Sequence, residues 1–176
     1  AVRWEVAHDE AFTQIAQRGE AVASAELAHS VHAEVQGLAP DRGYFYRFIA
    51  GGITSPTGRT RTLPLPQAAV KRLRVAYASC QRWEHGYFSA YHHMCQENLD
   101  LVLFLGDYIY EYVGAVNSVR LPTGGWVRSL ADYRERYALY RSEKSLQAMH
   151  AQCPWLITWD DHEVSNDYAG LERGQS

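Results

Sequence analysis

The sequence predicts a two-part chain: a small β-sandwich module followed by an α/β part built on parallel strands. Three observations carry this expectation. Up to about Leu63, short strand-like stretches alternate with turn residues, the rhythm of a small sandwich. The proline pair of Pro64-Leu65-Pro66 then favours extended backbone and removes ladder donors, marking a linker. Beyond it, three apolar runs each end in a polar cluster and are separated by helical patterns, as parallel strands with crossover helices would be.

In chain order, residues 2–7 alternate apolar and polar side chains, and so do residues 29–35, where Val31, Ala33 and Val35 oppose Ser30, His32 and Glu34. Both read as strands. Gly37 to Gly43 supplies turn residues before a third strand over 44–50, and Gly51-Gly52 with Ser55-Pro56-Thr57-Gly58 punctuate before a closing strand over 59–63. The Leu38-Ala39-Pro40 turn followed by Tyr44-Phe45-Tyr46 resembles the corner of fibronectin type III domains, where a tyrosine packs back on the turn. The module therefore reads as fibronectin/Ig-like over residues 1–64, truncated at its N-terminus, with a linker over 65–72 and the α/β part over 73–176.

Residues 73–78 form the first strand of that part. A helix is expected over 87–98, its inner stripe being Phe88, Tyr91, His92, Cys95 and Leu99. The nearly unbroken apolar run at 100–105 is the pattern of a strand covered on both faces. A long Gly/Pro/Asn-bearing loop follows over 112–128, of the kind that carries function. Ser129 caps a helix through Leu130, Tyr133, Tyr137 and Tyr140, with Asp132 in its first turn. A second helical piece over 143–151 stops before Cys153-Pro154, and a third strand starts at Trp155.

Composition narrows the function classes. Of 176 residues, 47% are hydrophobic and 21% charged, which is ordinary for a globular protein. A net charge of −3 makes no electrostatic case for nucleic acid or an anionic membrane surface. No apolar run approaches the roughly 18 residues of a transmembrane helix, and the first residues do not read as a signal peptide. Cys80, Cys95 and Cys153 are odd in number and lack CxxC spacing, against a disulfide framework or zinc knuckle. The strand-like start and the stop just after the richest polar cluster read as a piece of something longer.

Parallel strands collect ligands at their carboxyl ends, so the three clusters should share one crevice and suggest a metallohydrolase. Asp107 follows the central strand through Gly106, whose freedom permits a tight turn. Its carboxylate is a hard ligand able to bridge two cations; a turn aspartate is the competing reading. Tyr110 offers a phenol, a ligand suited to ferric iron, against a plain core aromatic in a chain of twelve tyrosines. Cys80 offers a thiolate, against the core packing expected of Cys95 and Cys153. Asp160 and Asp161 repel unless a cation or hydrogen bonds offset their charge. His162 beside them can act as ligand, general acid or transition-state stabiliser, and Asn166 and Asp167 extend the cluster or start a turn. The other histidines are weaker candidates. His8, His29 and His32 are expected to face solvent, His85 lies in the loop after Cys80, and His92 and His93 lack a metal-spaced partner. His150 is expected to meet its helix dipole.

Ser79-Cys80-Gln81, Gly106-Asp107-x-Ile109-Tyr110-Glu111 and Trp159-Asp160-Asp161-His162-Glu163-Val164, in that order, resemble the PhoD-type alkaline phosphatases of the calcineurin-like metallophosphoesterase superfamily. Ser55-Pro56-x-Gly58-Arg59-Thr60-Arg61-Thr62 and Tyr133-Arg134-x-Arg136-Tyr137-x-x-Tyr140 extend the resemblance over nearly the whole chain. It implies a four-layer α/β/β/α sandwich, incomplete here. It also implies a secreted, periplasmic or cell-surface enzyme hydrolysing phosphate monoesters or diesters with Fe3+ and Ca2+. Cys80 and Tyr110 would hold the iron, Asp107 would bridge the two cations, and Asp161 would stand where the superfamily's Asn-His-Glu motif has asparagine. His162 would be the histidine beside the phosphate. The implied mechanism is in-line attack by a metal-bound hydroxide at a bimetal site. Arg120 and Arg128 are candidates to meet phosphate.

The family completes its site with ligands from a C-terminal half outside these residues, so the chemistry is expected of the full-length parent, and an exposed apolar sheet face is expected here. The alternative from another class is a non-catalytic fragment or binding module. A third reading keeps the fold with Zn2+ or Mn2+ in place of iron and calcium.

Overall fold

The computed structural model describes residues 1–114, 117–170 and 172. These fall into two compact units, one of Ala1–Leu73 with Ala151–Pro154 and the other holding the rest.

The first unit is one antiparallel sheet. Strand β1 (Val2–Ala7) pairs on one side with β2 (Ile15–Ala21) and on the other with β3 (Gly43–Ala50). The far edge of β3 is shared by β4 (Ile53–Thr54) and β5 (Gly58–Arg61). The expected sandwich is therefore corrected, because the described residues of this unit form a single five-stranded sheet.

The strand expected over 29–35 is likewise absent. Ala28 and His29 sit at φ 51 and 58, and no ladder reaches the segment, since β2 already occupies the free edge of β1. Its alternation is real but has another cause. Ala33, Val35 and Leu38 line a cavity of about 390 Å³ against Trp4, Tyr46 and Phe48. One-sided burial produces a period of two with or without pairing. Strand β2 gives no strand pattern in sequence, because it carries one large apolar residue and a glycine. Gly19 is there because an added Cβ would lie 2.4 Å from the Trp4 indole. At the corner, Tyr44 is buried and its hydroxyl accepts the Ala39 N–H at 2.8 Å, the packing that the Leu-Ala-Pro turn predicts.

In the second unit β6 (Val75–Ala78), β7 (Leu101–Leu105) and β8 (Trp155–Thr158) form a parallel sheet in the order β6-β7-β8, an α/β arrangement. Val102 and Phe104 on one face of β7 are fully buried. The expectation of cover on both faces is corrected: on the other face Val75, Tyr77, Leu105 and Leu156 stay exposed. An unbroken apolar run reports what a strand can bury; Leu101 and Leu103 on the same face are only half-buried, in line with the exposed apolar sheet face that the sequence also leads one to expect.

Helix α1 (Ser89–Met94) is shorter than its pattern, because Phe88 takes a left-handed φ of 53 where the helix should begin. Of its predicted stripe Tyr91 is buried, whereas His92 faces solvent. Helix α2 (Leu130–Arg141) starts at Ser129 in a reciprocal capping box with Asp132. Its inward face is not aliphatic: Arg136 and Tyr140 are buried there. Helix α3 (Lys144–Gln152) buries Leu146 and Met149.

His150 near the end of α3 does not meet the helix dipole as a cation. Its Nε2 pairs with the Tyr108 hydroxyl at 2.8 Å and its ring stacks 3.9 Å from Trp155. Burial, aided by the Arg141 charge, lowers its pKa from 6.5 to about 3. A base whose pKa falls on folding contributes stability that is whole above the unfolded value of 6.5 and fades as pH drops toward 3. The ring-nitrogen NMR shifts of His150 in the full-length protein are therefore expected to stay those of neutral imidazole at about pH 5; a midpoint near the ordinary histidine value would contradict this packing.

Candidate metal centre

The site lies at the carboxyl ends of β6, β7 and β8, where each strand turns sharply. Cys80 after β6 and Asp107 after β7 both take left-handed backbone, at φ 55 and 57. Aspartate tolerates this region, but for cysteine it costs about 1–2 kcal/mol. The two turns are locked together, since Cys80 N–H donates to the Gly106 carbonyl and Gln81 N–H to the Asp107 carbonyl, at 3.1 and 3.2 Å. The buried Gln81 side chain adds a third tie, donating to the Tyr108 carbonyl at 2.9 Å while accepting from the Tyr91 hydroxyl.

The turn after β8 joins through Glu163. Its carboxylate accepts N–H groups from Asp107 at 3.0 Å, from Tyr108, from Ile109 at 3.4 Å and from Asp160 at 2.8 Å. Successive N–H groups converging this way form an anion-binding nest. Asp160 accepts the Asp161 N–H at 3.0 Å. The Asp-Asp-His-Glu run at 160–163 thus divides: Asp160 and Glu163 accept from backbone donors, while Asp161 and His162 are turned toward Asp107.

Ligand atoms of Asp107, Asp161 and His162 lie within 4.8 Å of one another. The Tyr110 hydroxyl donates to Asp107 Oδ2 at 3.1 Å, whereas buried Asp107 Oδ1 has no hydrogen-bond partner. Burial raises the Tyr110 pKa above the usual phenol range, with the Asp107 charge and the Cys80 thiol beside it pushing the same way. All five predicted site residues are therefore brought into one neighbourhood, Cys80 on its exposed rim and the Tyr110, Asp107 and His162 side chains buried. A buried, unpartnered carboxylate oxygen costs free energy, and carboxylates, an imidazole, a phenol and a thiol are donors that a hard or borderline cation would satisfy. The residues fit a metal.

Several participants stand in or beside the sequence motifs without a role that the sequence assigns them. Glu111 is buried, accepts the Asn166 N–H at 2.7 Å and holds His162 Nδ1 at 2.8 Å. The Asp167 N–H reaches Asp161 Oδ2 at 2.6 Å, so the segment after His162 folds back over the site carboxylates. From α2, Arg136 donates to the carbonyls of Tyr110, Tyr112 and Gly125, anchoring the turn and the long loop together. The Tyr140 hydroxyl accepts the Trp83 N–H at 3.0 Å. The motif from Tyr133 to Tyr140, with Arg136 inside it, is the sequence signal of this scaffold. Arg120, a candidate for phosphate, is instead tied to Trp83, donating to its carbonyl at 2.8 Å and lying 3.4 Å over its ring. Arg128 is exposed. Cys95 is half-buried and Cys153 buried.

A parallel sheet with a donor cluster at its carboxyl ends defines an α/β protein with a candidate metal centre. Residues 75–176 match the sequence model described as PhoD-like phosphatase, and residues 1–64 that of the PhoD-like phosphatase N-terminal domain. The chain belongs to the PhoD-like phosphatase family. It is 52% identical over 182 residues to alkaline phosphatase D of Bacillus subtilis (strain 168), covering 99% of this chain and 31% of that protein. A solved structure described as "Structure of PhoD" matches with a TM-score of 0.95 at 51% identity, over 99% of this chain and 35% of that one. The chain thus spans about a third of the length of these relatives.

Gly106 has φ 96, and an added Cβ would lie 2.4 Å from Asp160 Cβ and 2.9 Å from its backbone nitrogen. Gly106→Ala in the full-length protein is therefore expected to lower the unfolding midpoint and to lose bound metal, at a cost above about 2 kcal/mol. Unchanged metal content and stability would show that the two turns can separate without harm.

Proposed function

We propose that the full-length protein hydrolyses phosphate monoesters or diesters at a two-cation site, of which these residues form one part. The observation that carries the reading is the convergence of Asp107, Asp161 and His162 ligand atoms, with Asp107 Oδ1 buried and unpartnered, in a chain of this phosphatase family. Cys80 and Tyr110 suit ferric iron, Asp107 the bridging position, and Asp161 calcium. Zn2+ or Mn2+ is the alternative pair.

The cations, when bound, supply Lewis acidity toward the phosphoryl oxygens and lower the pKa of water at the site. The chain's own residues hold and time the proton. Glu111 fixes the His162 ring by taking Nδ1–H at 2.8 Å, leaving the other ring nitrogen to stabilise the transition state or protonate the departing alkoxide. Tyr110 and Tyr112 rings lie 4.2 and 5.4 Å from the His162 ring, which limits its rotation and keeps water from its faces. The Glu163 nest presents Asp107 without consuming Asp107's own oxygens.

The proposal extends to a four-layer α/β/β/α sandwich, supported by the bare apolar face of β6, β7 and β8, and to a fibronectin-like corner in the first unit, supported by the Tyr44 contact. It extends also to a secreted, periplasmic or cell-surface location, supported by the family. No helix among the described residues is long and apolar enough to cross a membrane.

Three measurements on the full-length protein test this. Turnover of a chromogenic phosphate ester should disappear after chelation and return with added metal; chelator-resistant activity would defeat the reading. A tyrosinate-to-iron absorption band should be present and be abolished in Tyr110→Phe, and an unchanged spectrum would remove iron from that position. Glu111→Gln should keep metal content while kcat falls about 10–100-fold, with KM nearly constant. A wild-type kcat there would show that His162 needs no carboxylate.

A further inference from the structure

A second carboxylate, Glu84, lies fully buried beside the site with no part in the chemistry above, being 1% exposed. One oxygen accepts the Gly114 N–H at 2.6 Å, and the other faces Arg82 Nε at 3.5 Å, an ion pair without a hydrogen bond. The pair is enclosed on the Gly114 side, where an added Cβ would lie 2.9 Å from Glu84 and 3.0 Å from Arg82. A buried charge pair of this kind is a weak source of stability, so its geometry is the more informative property.

Arg82 lies two residues beyond Cys80 and points across the strand-end turns. Its guanidinium carbon sits 5.5 Å from the Tyr110 ring centre and 4.5 Å from that of Tyr112, and Nη1 donates to the Tyr112 hydroxyl at 3.1 Å. The two rings meet edge to face at 5.9 Å, and both contact His162. The result is a continuous wall from Glu84 through Arg82 and the paired tyrosines to His162.

We propose that Arg82, anchored by Glu84, is a positioning residue that holds Tyr110 against Asp107 and closes the aromatic box around His162. The proposal rests on the metal-site reading above only for Tyr110's task; the box itself is a matter of geometry. A planar guanidinium can lie over two rings and keep its Nε on a carboxylate simultaneously. An ammonium group offers a point charge and no plane, so lysine cannot replace it.

The test uses the full-length protein with Arg82→Lys, which keeps a positive charge beside Glu84, and with the near-isosteric Glu84→Gln. Ferric affinity is read by chelator competition, the tyrosinate band by absorption, and kcat and KM separately. Arg82→Lys is expected to weaken ferric binding about tenfold, to shift the band, and to lower kcat about tenfold with KM within twofold. Glu84→Gln should move all three in the same direction, and it carries the test if Arg82→Lys does not fold. Wild-type affinity, band and kcat in both variants would overturn the proposal. A raised KM with unchanged kcat would overturn it too, since Arg82 would then be contacting substrate. Tyr110→Phe separates the two readings. If iron and its band survive that change, the iron assignment fails while Arg82 is judged on the kcat–KM split alone.

Discussion

The Glu163 carboxylate is the joint on which the site depends. Three parallel strands would by themselves deliver three independent turns, each free to move on its own. Glu163 draws the N–H groups of Asp107, Tyr108, Ile109 and Asp160 to one point. Charge-assisted bonds to a carboxylate are roughly twice as strong as neutral ones, so the turn after β8 and the turn after β7 become one body. Gly106 makes this possible by letting the two backbones approach where a side chain would strike Asp160. The placement of Asp161 and His162 against Asp107 is the consequence.

Around that joint the supporting shell is polar and aromatic rather than aliphatic. Helix α2 contributes a guanidinium and tyrosine hydroxyls where a core helix would ordinarily contribute leucines. Irregular turns explain the choice. Strand-end backbone carries carbonyls and N–H groups that no ladder satisfies, and burying them unpaired would cost about 1–3 kcal/mol each. Arg136 satisfies three carbonyls, Gln81 one, and the Tyr140 hydroxyl one N–H. The candidate metal site, built on loops, is held rigid by this bookkeeping, since loops lack the regular hydrogen bonds that stiffen helices and strands.

How much of this was legible in the sequence differs by element. The three parallel strands and the capped start of α2 were readable, because an apolar run and a Ser-x-x-Asp cap are local signals. The residues 29–35 alternate as a strand would but pair with nothing, and β2 pairs without alternating. Pairing depends on which edge is free, which is a property of the assembled sheet. Likewise His150 has the position of a dipole-capping cation, yet Tyr108 and Trp155 hold it neutral.

The sequence by itself nominated the candidate site, since residue type and strand-end position are enough to single out Cys80, Asp107, Tyr110, Asp161 and His162. It also determined the family, through motifs whose order is a linear property. Only the tertiary structure decided which acids serve the fold and which face the site. Asp160 and Glu163 flank Asp161 and His162, but the outer carboxylates go to the strand-end N–H donors, whereas Asp161, with one oxygen on the Asp167 N–H, and His162 converge on Asp107. Glu111 and Glu84 gained their partners the same way. The long-range donors to Glu163 and Glu111 lie 54 to 56 residues away in the chain and that to Glu84 lies 30 away, and a carboxylate's role is set by whatever donors arrive beside it.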